Sequence, residues 1–208
     1  MLHARRLLLK VGKHIFLKSL VNLVELPTDG KPLVAFVGRS NVGKSSLINH
    51  LSGQKALARV SRSAGRTRTI NLYQIEPKYY VVDMPGYGFA QASKDTQSAF
   101  GNLIADFIET VNNVALIFLV VDAVAGPTDL DQDMLDMLRA AKRPFVMLVN
   151  KVDKLSQSEM HKLLAALHEH YEHIPVLLHS MHAGKDRDHV LGAIHEALRE
   201  TKNSPKLA

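Results

Sequence analysis

Two glycines, a lysine and a serine stand at the spacing G-x-x-x-x-G-K-S in "GRSNVGKS", residues 38–45. Gly38 and Gly43 permit a tight backbone path whose amides converge on one anion, and Lys44 adds a positive charge. The stretch follows the apolar run "LVAFV" and opens the helical pattern "SSLINHLSG", so a helix N-terminus faces the same anion. This chemistry grips the outer phosphates of a nucleotide, with Lys44 bridging them and Ser45 ligating Mg²⁺. Gly38, Arg39, Ser40, Asn41, Val42, Gly43, Lys44 and Ser45 are therefore candidate nucleotide contacts.

Four further segments fall at positions that complete such a site. In "DMPGYG", 83–88, Asp83 can hold a metal-bound water and the Gly86 amide can meet a γ-phosphate, with Met84 and Pro85 between them. Tyr87 occupies the position where a water-orienting glutamine would be expected. "NKVD", 150–153, separates guanine from adenine. The Asn150 amide can read the guanine edge, Asp153 can accept from N1–H and the exocyclic amine, and the stem of Lys151 can cover the base beside Val152. His179, Ser180 and Met181 follow the last strand and could supply backbone contacts to the guanine oxygen. Gly65, Arg66, Thr67, Arg68 and Thr69 lie between the phosphate loop and the next strand, where the Thr67 hydroxyl could join Mg²⁺ when a third phosphate is bound.

The elements that must position these residues alternate. Strand-like runs occur at 33–37, 79–83, 115–121, 144–149 and 175–179, mostly apolar without alternation, as in a parallel sheet covered on both faces. Residues 69–77 fit an additional strand antiparallel to 79–83. Leu130, Met134, Met137, Leu138 and Ala141 share one helical face, as do Met160, Leu163, Leu164, Leu167 and Tyr171. The expected fold is an α/β three-layer P-loop NTPase, with a mostly parallel sheet, one antiparallel strand and ligands beyond the strands' carboxyl ends. Residues 1–30 are expected to be a basic segment packed on the domain, 31–200 the domain itself, and 201–208 a flexible tail.

Composition narrows the classes. The 208 residues carry no cysteine, which excludes disulfides and thiolate chemistry and fits a reducing compartment, the cytoplasm being the default. The longest apolar run, "VALIFLVV", is far short of the ~20 residues of a membrane span. The formal charge of +6 is concentrated toward the front. Arg5, Arg6, Lys10, Lys13, Lys18 and Lys31 face only Glu25 and Asp29, and Arg59, Arg62, Arg66 and Arg68 have no acid among them. This distribution suits an anionic partner. An organelle import signal at the N-terminus stays open beside a helix or strand leading into the domain. The many histidines after 160 match no closed metal site.

With these elements in order, the chain resembles the GTPases of the TrmE, Era and EngA group and, more narrowly, the EngB family, also called YihA or YsxC. The resemblance covers roughly 16–200 and lies in "FLKSLVNLVELP", "GRSNVGKSSLINHL", "LARVSRSAGRTRTINLYQI", "DMPGYGFA" and "DLDQDML". It implies a monomeric, Mg²⁺-dependent GTPase that cycles between GTP and GDP and helps assemble the large ribosomal subunit by binding immature rRNA and protein. It also implies that Asn41 holds a K⁺ where other GTPases receive an arginine finger, so that Lys44, Asn41 and Thr67 carry catalysis. The chain departs from the family in having "NKVD" for "TKAD", Met181 after Ser180, and Ala64 where proline is usual. Rival readings are a GTP-gated binding module with vestigial hydrolysis, linked to cell division or the membrane surface, and a P-loop ATPase or nucleotide kinase.

Overall fold

The unalternated apolar runs become the middle of a seven-stranded sheet in the order β1-β3-β4-β2-β5-β6-β7. In this computed structural model the described residues are 14–58, 69–75, 78–88 and 94–203. The strands are β1 (His14–Leu20), β2 (Leu33–Val37), β3 (Ile70–Ile75), β4 (Tyr79–Asp83), β5 (Val114–Asp122), β6 (Phe145–Asn150) and β7 (Val176–His179). The helices are α1 (Lys44–Ser52), α2 (Lys94–Thr110), α3 (Asp129–Ala140), α4 (Gln157–Tyr171) and α5 (Gly184–Asn203). β3 runs antiparallel to both β1 and β4, and every other ladder is parallel. It is the one antiparallel strand that the sequence predicts.

Period-two alternation divides the core. Leu33, Ala35 and Val37 of β2 face a layer built from α2, α3 and α4, where Ile104, Phe107, Leu135, Leu138, Leu163 and Leu167 are buried. Val34 and Phe36 face α1 and α5, against Leu47, Ile48, Val190 and Ile194. Phe36 and Phe118 stack across the β2–β5 ladder with ring centroids 5.0 Å apart. Both faces of the sheet are thus covered, which is why β2 and β5 show no polar alternation.

Two helical stripes differ from expectation. Leu130 and Leu164 are exposed, whereas Leu135, absent from the predicted stripe, is 1% exposed and fully in the core. A helix lying on a sheet buries a limited arc, and the stripe centres on Leu135 and Leu138 rather than on the helix start. β1, from the basic N-terminal segment, pairs on the outer edge of β3, and α5 extends to Asn203. Residues 1–13 and 204–208 lie outside the described residues. No helix among the described residues is long and apolar enough to cross a membrane.

Candidate nucleotide site

The candidate segments at 38–45, 83–88, 150–153 and 179–181 each stand at the carboxyl end of a strand. After β2 the chain turns at Gly38, where a Cβ would collide with the Val120 carbonyl of β5. Gly43 adopts φ 100 as the N-cap of α1, and a Cβ there would lie 2.6 Å from Asn150 Nδ2. The loop is thus pinned between β5 and the end of β6. Lys44, the first residue of α1, folds back, and its ammonium donates to the carbonyls of Gly38 at 2.8 Å and Arg39 at 3.2 Å. Burial pulls its pKa down to about 8, opposed by the negative charges of Asp83 and Asp131.

Asp83 ends β4 and is buried. Its Oδ2 accepts the Ser45 hydroxyl at 2.9 Å, while the buried Oδ1 has no hydrogen-bond partner among the described residues. Burial pushes its carboxyl up, opposed by the Lys44 charge and the Ser45 hydroxyl. A buried carboxylate oxygen without a partner, beside a serine hydroxyl, is an oxygen-only donor set of the type a hard divalent cation takes, directly or through water. The residues fit Mg²⁺. Met84 and Pro85 are buried, with the Met84 amide donating to Phe36 O at 3.1 Å. At Gly86 a Cβ would come within 2.8–2.9 Å of Ser40 backbone and side-chain atoms, so the two loops touch backbone to backbone.

Tyr87 is anchored elsewhere. Its carbonyl accepts the Ser40 amide at 3.0 Å, and its phenol donates to Asp131 Oδ1 at 2.8 Å. Asp131 Oδ2 accepts Arg39 Nε at 3.0 Å and both the amide and hydroxyl of Thr128 at the start of α3. Asp131 is 1% exposed. Burial, then the Asp131 charge, pushes the phenol well above its ordinary range. One carboxylate at the start of α3 therefore joins the phosphate loop to the loop that should sense the γ-phosphate. Sequence reading placed this aspartate only within the resemblance string "DLDQDML" and gave it no role.

The Asn150–Asp153 loop is tied to the phosphate loop by two bonds. Asn150, buried at the end of β6, donates from Nδ2 to Val42 O at 2.9 Å, and its Oδ1 lies 2.8 Å from His179 Nδ1. Lys151, at φ 68, donates from Nζ to Asn41 O at 2.7 Å and to Asp122 Oδ2 at 2.6 Å. Burial raises the Asp122 carboxyl, but Lys151 and the Val124 amide outweigh it and leave it lowered. Asp122, the last residue of β5, is a second residue that sequence reading missed. Asp153 lies in the short 3-10 turn Val152–Lys154, with His182 Nε2 at 3.9 Å from its Oδ2. The Ser180 amide donates to Asp186 Oδ2 at 3.0 Å, and Met181 is exposed. A pocket of about 370 Å³ lies between the outer side of α1 and Met181, lined by Ser46, Asn49, His50 and Lys55 among others.

The structure thus gathers Gly38–Ser45, Asp83–Gly86, Asn150–Asp153 and His179–Met181 at one edge of the sheet. Thr69 is half-buried just before β3. Gly65, Arg66, Thr67 and Arg68 lie outside the described residues, as do Arg59 and Arg62.

The chain matches the model of the 50S ribosome-binding GTPase family over residues 33–151. It is 37% identical to the probable GTP-binding protein EngB of Cytophaga hutchinsonii over 90% of this chain and 97% of that relative. It is 38% identical to the Aquifex aeolicus protein of the same name, over 82% of this chain and 93% of that one. Its fold superposes on the crystal structure of a probable GTP-binding protein engB with TM-score 0.66 at 29% identity, covering 81% of this chain and 99% of the other. The loop 38–45, Asp83 and the Asn150–Asp153 loop converge at the carboxyl ends of the strands, and the chain belongs to the EngB family of GTP-binding proteins.

Proposed function

We propose that this GTP-binding protein is a slow, Mg²⁺-dependent GTPase whose nucleotide state gates its association with precursors of the large ribosomal subunit. The observation on which the slow rate rests is the Tyr87 phenol bound to Asp131, 2.8 Å away, at the position where a water-orienting glutamine would stand. Phosphoryl transfer depends mainly on positioning and charge neutralisation, so the missing glutamine slows hydrolysis without forbidding it. Lys44 and the amides at the start of α1 neutralise and orient the phosphates. Ser45 and, through water, Asp83 would hold Mg²⁺, joined by Thr67, and the ion would supply further neutralisation of the phosphate charge. Asn150 and Asp153 read guanine.

Asn41 stands in a left-handed conformation at φ 68 within the phosphate loop and is the proposed ligand of a K⁺ that substitutes for an arginine finger. An arginine finger gives about 10³ to 10⁵ in rate, and K⁺ would supply part of that. The ribosomal role draws support from the description of the matching family and from the basic front of the chain. Backbone phosphates neutralised by such arginines make binding salt-dependent. Sedimentation of the protein, loaded with a non-hydrolysable GTP analogue, with large-subunit precursors across a salt series tests this reading. Co-sedimentation at low salt that weakens with added salt and with GDP is expected; absence from the particles at low salt would remove the ribosomal role.

A further inference from the structure

Sequence reading offered only the backbone of His179 to the guanine oxygen and gave His50 no part, yet both imidazoles stand against the site. His50 of α1 and His179 at the end of β7 bring ring nitrogens to 2.9 Å, with ring centroids 5.1 Å apart at 60°. His179 is wholly buried. Its other nitrogen meets Asn150 Oδ1, and Asn150 Nδ2 meets Val42 O. The result is a four-member chain running from α1 through two imidazoles and one amide into the phosphate loop.

The far end of that chain fixes its protons. A backbone carbonyl only accepts, so the group facing Val42 O is the amide nitrogen, and the amide oxygen faces His179. His179 Nδ1 must therefore carry hydrogen. A neutral ring then leaves Nε2 as an acceptor, so His50 Nδ1 must be the donor. A proton added at His179 Nε2 would oppose the His50 Nδ1–H and force His50 into its other tautomer. Burial, the largest influence on both rings, disfavours such protonation.

Packing between α1 and α5 does not need this contact, because Arg187 already ties the end of α1 by donating to the carbonyls of His50 at 2.9 Å and Leu51 at 3.0 Å. The polar chain has a narrower consequence, which is that it holds the Asn150 amide in one orientation. We infer that His179, its Nδ1–H directed at Asn150 Oδ1 and its Nε2 held by His50, is a positioning residue for guanine recognition, acting through Asn150. The inference rests on the reading of Asn150–Asp153 as the base-reading loop.

The test is the affinity for GDP of the full chain and of two variants at His179, each with its nucleotide-free melting temperature. His179→Leu removes the donor and leaves a buried amide oxygen without a partner, so GDP should bind about tenfold or more weakly. The ratio of GDP to inosine diphosphate should be unchanged, because the exocyclic amine is read by Asp153. His179→Asn places an amide nitrogen near the former Nδ1 and should restore affinity to within about threefold. Weak binding that tracks melting temperature in both variants would reduce His179 to packing, and wild-type affinity in His179→Leu would overturn the inference. Should His179→Leu not fold, His50→Leu against His50→Asn makes the same comparison one bond further away. Asp153→Asn, measured in parallel, separates the two claims. A switch to xanthosine diphosphate with His179→Leu unaffected defeats only the positioning role. Retained GDP preference in Asp153→Asn defeats the underlying base-reading assignment.

Discussion

Replacing Tyr87 with phenylalanine should lower stability while leaving hydrolysis nearly unchanged. The phenol supplies the hydrogen bond to Asp131 Oδ1, and Asp131 is buried with its other oxygen held by Arg39 and Thr128. A hydrogen bond to a charged group contributes about 1.5 to 3 kcal/mol. For a chain of this size each kcal/mol moves the melting temperature by roughly 2 to 4 °C, so the variant should melt ~3 to 12 °C lower. The phenol points into α3, so the single-turnover rate on bound GTP should stay within about twofold of wild type, which is ~0.4 kcal/mol or less of barrier. Differential scanning fluorimetry and single-turnover hydrolysis of radiolabelled GTP measure the two quantities. In a double-mutant cycle with Asp131→Ala the stability losses should be non-additive, since both changes remove the same contact. A rate loss of tenfold or more with unchanged stability would show that Tyr87 serves the chemistry, and would refute its assignment as an anchor.

Two further outcomes follow from the loop geometry. Lys44, pulled down to about 8 by burial, should regain its proton when phosphates bind, so GDP binding at pH 9 should take up most of one proton. Affinity should then fall as pH rises through 8, and calorimetry in buffers of different ionisation enthalpy reads the uptake directly; no uptake at pH 9 would contradict the buried, depressed lysine. Gly86→Ala would set a methyl 2.8–2.9 Å from Ser40 backbone atoms, so the loop must move away. GDP binding should survive within about threefold while hydrolysis falls by tenfold or more, checked by equilibrium binding and turnover on the same preparation.

The local part of the site was legible because its geometry is written in consecutive residues. Gly38, Gly43 and Lys44 depend on a strand, a turn and a helix that are neighbours in sequence, so spacing alone identifies them. The five apolar runs and the antiparallel β3 were readable for the same reason, since both-face burial leaves a run without alternation. What sequence reading missed depends on distance along the chain. Tyr87 and Asp131 are 44 residues apart, His50 and His179 are 129 apart, and nothing in the local pattern of any of these residues points to its partner. Asp131 looks like an ordinary acidic residue in the first turn of a helix, where the macrodipole alone would favour it. Only packing α3 against the phosphate loop reveals its second use. Leu130 and Leu135 show the same limit on a smaller scale, because helical spacing admits both and the position of the sheet decides which one is buried.

The most direct test of a slow GTPase gated by its partner is single-turnover hydrolysis in K⁺ and in Na⁺, with and without large-subunit precursors. The expected result is slow turnover by the free protein in Na⁺, a higher rate in K⁺, and a further rise when the particles are added. Fast hydrolysis by the free protein, independent of the cation and of the particles, would contradict it.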